Sequence, residues 1–293
     1  MNSSNTQRPS PEDPHVREAF AQAYATIQGL IEQRSQAHAA EHETIAKYTQ
    51  ALQAPFAKII AESPEAAHAL KELRQREPLE LADSNVSLPV RGDRSGGPMF
   101  NLHLQEHLSV VGAPYDFDWQ WGNPVAGFHN RFNGQIGVDG SSGHAQHGAS
   151  GRVEAAAGIG LAITTDRPVT VSVRPFISYW WRSGVAAYGA FSSAETKGGV
   201  DAAAFLDGRI IDGVRRSELF SDSRSWAGKD IRDDNGIVWV PDVTLGFAMQ
   251  PGQVVVVNFG AWVECDHTSG IGVAAAVGQV RATVSWIVVE RFL

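Results

Sequence analysis

The chain has 293 residues, with 24 Lys and Arg against 32 Asp and Glu, which gives a formal net charge of −8. Hydrophobic residues make up 43% and charged residues 19%, so the composition is that of a globular protein and excludes wholesale disorder. No cluster of Lys and Arg is large enough for a phosphate-binding surface, which argues against a nucleic-acid partner. The single cysteine, Cys265, excludes an intramolecular disulfide.

Residues 1–10 are polar and rich in Ser, Asn and Pro, and we expect them to form a disordered tail. They lack the apolar core of a signal peptide. No later stretch reaches the roughly 18–20 apolar residues that cross a bilayer. We therefore expect a soluble protein without a transmembrane segment, either cytoplasmic or exported without a leader.

The composition changes sharply along the chain. Of the 29 glycines only Gly29 precedes Gly92, and all eight tryptophans lie at Trp119 or later. Glycine is costly in helices and common in the turns between strands. This change predicts an α+β protein in two segregated parts, a helical segment followed by a sheet.

Residues 11–78 are predicted to form a helical arm of one long helix and shorter ones. Ser10 and Pro11, followed by two acids, are typical of a helix start. Apolar residues then recur every three or four positions, as on one face of an amphipathic helix. They are Val16, Phe20, Tyr24, Ile27 and Ile31.

The same spacing resumes at Ile45, Tyr48 and Leu52. Pro55 is expected to break or kink the helix, because it lacks the amide that the helical ladder needs. A second short element would then carry Phe56, Ile59 and Ile60, and Ser63 would cap a third helix.

An unbroken first helix of about 40 residues would be roughly 60 Å long. Helices of that length are often coiled coils or packing arms. We therefore predict that Val16–Ile31 mediates homo-oligomerisation. The chain's own β domain is an alternative partner, and membrane insertion is less favoured because the polar face has no excess of Lys and Arg.

Residues 79–98 are predicted to be a linker, punctuated by Pro89 and Pro98. The linker contains Arg91-Gly92-Asp93, a tripeptide that resembles integrin-binding loops. A match of three residues is common by chance in a segment rich in Pro and Gly.

Residues 99–293 alternate apolar and polar residues with a period of two, as in Val169–Val173 and Val280–Val288. Turn signals separate the alternating runs, among them Asp139-Gly140, Lys197-Gly198-Gly199 and Asn235-Gly236. No helical segments intervene, which argues against a parallel sheet. The pattern predicts an antiparallel β-sandwich of ten to twelve strands, with a jelly roll as the architecture.

Aromatic residues beside an arginine form the first candidate site. Trp119 and Trp121 would share one strand face, and Tyr179, Trp180, Trp181 and Arg182 follow one another on another strand. An exposed tryptophan can stack on a sugar ring, so this set suggests a carbohydrate-binding surface. The alternative is that these rings fill the core.

Histidines and carboxylates form the second group of candidates. His144 and His147 lie three residues apart, and Asp230, Asp233 and Asp234 precede Asn235-Gly236. They suggest weak zinc and calcium sites, although each lacks the full ligand spacing. The alternatives are solvated loop histidines and a polar turn, and no cofactor is required by the sequence.

Motifs for catalysis are missing: neither Gly-x-Ser-x-Gly nor a P-loop occurs. Cys265, Asp266 and His267 are adjacent, and neighbours on a strand point to opposite faces and cannot act together. We therefore predict a non-enzymatic structural or assembly protein. A carbohydrate-binding module and a leaderless toxin or effector are the alternatives.

Overall fold

The computed structural model describes residues 9–74, 101–105, 107–122, 126–143, 150–239 and 243–292. The predicted linker 79–98, most of the predicted tail, and His144 and His147 lie outside these ranges.

The first helix, α1, spans Pro14–Glu62, 49 residues. Its cap is Asp13, whose carboxylate accepts from the His15 amide at 2.9 Å, so the helix begins three residues later than the pattern at Ser10 predicts. Pro55 lies inside the helix, and the prediction of a separate element beginning at Phe56 is wrong. A proline removes one hydrogen bond from the ladder, and the rest of this long helix continues past it.

The second helix, α2, spans Pro64–Arg74 and contacts the last strand of the sheet. The Ser63 hydroxyl caps it by accepting from the Ala66 amide at 3.2 Å.

Eleven antiparallel strands follow in the described part of the chain. They are β1 (Asn101–Gln105), β2 (Leu108–Gly112), β3 (Phe117–Gly122), β4 (Ala126–Asn130), β5 (Gln135–Ser142), β6 (Ser150–Thr164), β7 (Val169–Leu206), β8 (Arg209–Trp239), β9 (Leu245–Met249), β10 (Val254–Thr268) and β11 (Ile271–Phe292).

All eleven strands belong to one sheet with the order β1-β2-β11-β7-β10-β6-β3. Strand β5 pairs with β11 and carries β4, while β8 and β9 pair with β7. The sheet curves until it is nearly barrel-shaped. A long helix followed by an antiparallel sheet is therefore confirmed, whereas the jelly roll is not.

A long bent hairpin, β7–β8, produces this curvature. The first half of β7 pairs with β11 and the second half with β10. The bend falls where Phe191 and Trp226 have positive φ angles of 61° and 73°, between the paired residues Tyr188–Ala227 and Ser193–Ser225. The two halves of the hairpin thus lie in opposing parts of the sheet.

Glycines allow the opposing inner surfaces to approach each other. A methyl group at Gly140 in β5 would meet Val263 Cγ1 in β10 at 2.9 Å, and one at Gly278 in β11 would meet the same atom at 2.6 Å. The enclosed core consists of alternate residues of the long strands, including Ile159, Leu161, Val185, Val257, Phe259, Val280 and Val284.

Three predicted turns are wrong for the same reason. Asp139-Gly140, Lys197-Gly198-Gly199 and Asn235-Gly236 lie inside β5, β7 and β8. Because glycine has no side chain, a neighbouring ring can lie directly over its backbone. Phe220 covers Gly198, and Tyr179 covers Gly236. Glycine serves close approach in these strands rather than reversal of the chain.

Helix α1 packs on the outer surface of β3, β6, β10 and β7. Ala156 and Ala203 are small, so the helix can approach the sheet between larger neighbours. The contact buries Ala23, Ile27, Ile31, Trp119, Ala156, Ala203, Phe205, Val256 and Trp262.

Candidate functional site

The apolar stripe of α1 is buried in its first half and exposed in its second. Ile27 and Ile31 are 7% and 4% exposed, whereas Tyr48 and Ile59 are 68% and 62% exposed. We call the second half the exposed stripe. It consists of Ile45, Tyr48, Leu52, Phe56 and Ile59.

The buried side of the helix in this region is polar. Gln53 is buried and its Nε2 has no hydrogen-bond partner. The His42 Nε2 lies 2.7 Å from the Asp266 carboxylate of β10. A helix in a globular protein normally buries its apolar face, but in the second half of α1 much of that face is exposed.

Aromatic residues of the hairpin bend extend the exposed stripe. The Phe56 ring lies 5.8 Å from the Phe191 ring, which lies 5.9 Å from that of Trp226. Trp226 is 61% exposed. Positive φ angles are unfavourable for such bulky residues, and these two rings are nevertheless held at the edge of an apolar surface.

A charged layer lies between α1 and the sheet, next to the buried half of the stripe. Arg34 of α1 contacts Glu154 of β6 at 3.4 Å. Glu264 of β10 binds both Arg152 at 2.8 Å and Arg216 at 3.2 Å. Only the Arg34–Glu154 pair crosses from the helix to the sheet, and the Glu264 pairs join strands of the sheet beneath it.

Burial shifts the pKa values of several side chains in this charged layer. The Glu154 side chain is 3% exposed, and burial raises the pKa of its carboxyl above 4.5 despite the nearby Arg34. Burial likewise raises the pKa of Asp201 and of Asp266, and lowers that of Arg34. Keeping these side chains charged in the folded protein therefore costs desolvation free energy.

Two cavities flank the charged layer along α1. An apolar cavity of about 340 Å³ lies beside residues 27–34, with Trp119, Phe205 and Asp201 in its wall. A polar cavity of about 540 Å³ lies beside residues 38–45, with Arg152 and Lys197 in its wall.

The predicted aromatic residues do not form one exposed platform. Trp119 and Trp180 are buried, whereas Trp121, Tyr179, Trp181 and Arg182 are half-buried. Trp119 and Trp121 share a face, as predicted, and that face lies against α1. The Trp119 Nε1 donates to Asn258 Oδ1, and Trp181 packs against the core beside Phe220.

The predicted oligomerisation residues lie mostly against the chain's own sheet. Phe20, Tyr24, Ile27 and Ile31 belong to the contact with β3, β7 and β10, the alternative partner considered above, and Val16 is also buried.

The carboxylates predicted to bind calcium lie within β8 instead of in a turn. Asp230 is paired with Arg224 at 2.7 Å and with Arg232 at 2.8 Å. Asp233 and Asp234 pair with Arg182 and Trp181 along the strand. Within the described ranges, no group of three or more His, Cys, Asp and Glu side chains could hold a metal ion.

Cys265 is fully buried beside Thr196, and burial raises the pKa of its thiol to about 12. A thiol that stays protonated is a poor nucleophile. The buried His267 Nδ1 lies 2.7 Å from the Ser142 hydroxyl, which donates to the Gly151 carbonyl at 2.8 Å. Asp266 lies on the opposite face, towards α1, as strand geometry predicts.

The charged layer was not predicted from the sequence. Its signal is the pairing of charges two residues apart within apolar strands: Arg152 and Glu154 in β6, and Glu264 and Asp266 in β10. Charges at that spacing share one face of a strand, which marks a polar contact on an otherwise apolar surface.

Comparison with known proteins does not place the chain in a family. No family model and no curated protein matches it. An isomalto-dextranase of Arthrobacter globiformis T6, complexed with panose, is 11% identical, with a TM-score of 0.16 over 62% of this chain and 34% of that one. The structure of infectious bursal disease virus Gx strain is 10% identical, with a TM-score of 0.15 over 65% and 42%. The chain thus spans about a third to two fifths of these structures.

Neither of the two described helices is long and apolar enough to cross a membrane.

Proposed function

We propose that the protein is a non-enzymatic assembly component that associates with a second copy of itself through the exposed stripe of α1. The observation that carries this proposal is the exposed apolar face of the helix between residues 45 and 59. Five large apolar side chains there are 40–68% exposed, although Phe56 also contacts Phe191. Contiguous apolar patches on a protein surface are typical of interaction sites.

The spacing of the stripe fits an antiparallel pair of helices. Its residues are separated by three, four, four and three positions, a pattern that is symmetric about Leu52. A two-fold axis at Leu52 would bring Ile45 opposite Ile59 and Tyr48 opposite Phe56. Two-fold interfaces use the same patch on both copies, so a self-complementary pattern favours a second copy over an unrelated partner.

The exposed apolar area is close to that of a standard protein–protein interface. An aromatic side chain presents about 150–250 Å², and with the fractions exposed, the stripe and Trp226 present on the order of 700 Å² of surface. Standard interfaces bury about 800 Å² on each partner. We therefore expect a dimer interface slightly smaller than the standard size, with the hairpin bend at its rim.

Sedimentation equilibrium of the full chain between 1 and 100 μM tests the proposal. We expect a dimer mass at the upper end and a monomer for Leu52→Glu, because the new charge would meet its own copy at the axis. The matched control is Ala54→Glu, an exposed site on the opposite side of the same turn, which should leave the dimer intact. A monomer for the unmodified chain at 100 μM, or an unchanged dimer for Leu52→Glu, would refute it.

A further inference from the structure

Strand β8 forms a long edge of the sheet. It pairs with β7 along one side, and among the described residues no strand lies along its other side. Register shifts interrupt it three times between residues 210 and 220, whereas residues 221–225 and 227–239, on either side of the hairpin bend, pair regularly with β7. Bulges protect an edge from pairing with a further strand, and a regular edge lacks that protection. The stretches that flank the bend are therefore open to strand pairing.

The charges of the stretch after the bend are arranged symmetrically about Ile231. Asp230 and Arg232 flank it, and Lys229 and Asp233 are the next residues on either side. In an antiparallel pair of two copies with a two-fold axis at Ile231, Lys229 of each copy lies opposite Asp233 of the other. Asp230 and Arg232 are matched in the same way. Opposite charges directly across an antiparallel pair stabilise it, so all four positions favour this pairing.

Neighbouring registers lack this match. An axis at Asp230 would set that carboxylate opposite its own copy, and an axis at Arg232 would do the same for the guanidinium group. In both registers Ile231 would lie opposite a charged residue instead of a second isoleucine. Like charges directly across a pair of strands destabilise it. The pattern therefore specifies one register of one strand with its own copy.

The stretch before the bend is self-complementary about the same axis. Across the bend, Arg224 binds Asp230 at 2.7 Å. Asp222 binds Arg232 at 3.1 Å. These two ion pairs place Ser223 opposite the axis position in the facing part of the sheet. A two-fold axis perpendicular to the sheet thus passes both positions, and at the second it sets Asp222 opposite Arg224 of the other copy. Two stretches that match themselves about one axis favour a second copy over an unrelated strand.

We propose that the edge of β8 beside the bend is a second self-association surface, at which two copies pair antiparallel about Ile231 and continue one sheet into the other. Lys229 and Asp233 are exposed and have no ion-pair partner in the described part of the chain, so they are available to the other copy. The inference does not depend on the exposed stripe, none of whose residues lies on this edge. A chain with two different two-fold surfaces links its dimers into larger assemblies.

Oxidative cross-linking of the full chain with Ile231→Cys tests this surface in the Leu52→Glu background, which removes any contribution of the exposed stripe. Exposed ion pairs contribute little individually, so the contact is trapped covalently. Residues directly opposite in an antiparallel pair lie within disulfide range. The control Ala227→Cys is exposed on the same strand, and its own copy lies about 27 Å away at 3.4 Å per residue. We expect Ile231→Cys to cross-link about ten-fold faster, because distant thiols react only on random collision.

Charge reversal tests whether the matched charges direct the pairing. Adding Lys229→Glu should slow the cross-linking of Ile231→Cys about ten-fold, because the new carboxylate meets Asp233 of the other copy. Adding Asp233→Lys as well should restore the rate, since the two charges are then exchanged. Near-ultraviolet circular dichroism checks that each variant is folded.

Equal rates for the two cysteine variants, or no response to Lys229→Glu, would assign the edge to solvent or to another strand and would overturn the proposal. Either result would leave self-association through the exposed stripe unaffected, because the stripe is disabled in every variant of this experiment.

Discussion

At the scale of single residues, glycine decides how closely the parts of the sheet approach. Gly278 lies where β11 faces β10, with Val263 Cγ1 and Thr196 Oγ1 at 2.6 and 2.7 Å from the position of an added methyl group. Gly246 in β9 has nothing within 4 Å of the same position. The two glycines look alike in the sequence and differ only in what lies across from them.

We therefore expect Gly278→Ala to lower the free energy of unfolding by about 1–3 kcal/mol, because the core around it has no room for a further carbon. Gly246→Ala should leave it unchanged or raise it by about 0.4–1 kcal/mol, since alanine reduces the freedom of the unfolded chain. Urea denaturation of both variants measures the difference. Equal stability of the two would show that the inner surfaces are not in contact at Gly278.

At the scale of elements, α1 docks on the sheet through an apolar contact and a charged layer. The sequence predicts only the helical side of the apolar contact, and it does not predict the charged layer. The stripe from Val16 to Ile31 is readable from its spacing. Its receiving surface is not, because Trp119, Ala156, Ala203 and Val256 come from four strands that are distant in sequence. Likewise, whether Gly198 or Gly236 makes a turn or admits a ring depends on residues that only the fold brings near.

The charged layer makes stability depend on pH in a defined direction. Burial raises the pKa of Glu154 above its ordinary value of 4.5, so the folded chain binds the proton more tightly than the unfolded chain. The resulting stabilisation is fully present below 4.5 and is lost as the pH rises through the raised value. Glu154→Gln cannot lose a proton and removes this dependence.

We expect the free energy of unfolding of the unmodified chain, measured relative to that of Glu154→Gln by urea denaturation, to fall between pH 4 and pH 8. The raised pKa of Asp201 acts in both proteins and cancels in the comparison. A relative stability that rises with pH over this range would mean that Arg34 and Arg216 outweigh burial, contrary to the account of the layer.

At the scale of the whole molecule, the sequence predicts a helical part followed by a sheet. It does not predict how the two parts pack against each other. The switch from a period of three or four to a period of two separates helix from sheet in the sequence. The long bent hairpin, the near-closure of the sheet and the position of α1 on its outer surface all depend on contacts between distant residues. The exposed stripe emerges only from these contacts, because the sequence shows one stripe and the fold covers just its first half.

Oxidative cross-linking at the proposed two-fold axis tests the central claim, that two copies meet through the exposed half of α1. The native Cys265 is fully buried, so a thiol introduced by Leu52→Cys reports on the interface alone. The account predicts that mild oxidation at 50 μM converts Leu52→Cys to a disulfide-linked dimer, while the matched variant Ala54→Cys stays monomeric on non-reducing gels. Equal cross-linking of the two variants, or none of Leu52→Cys, would contradict an antiparallel pair centred on Leu52.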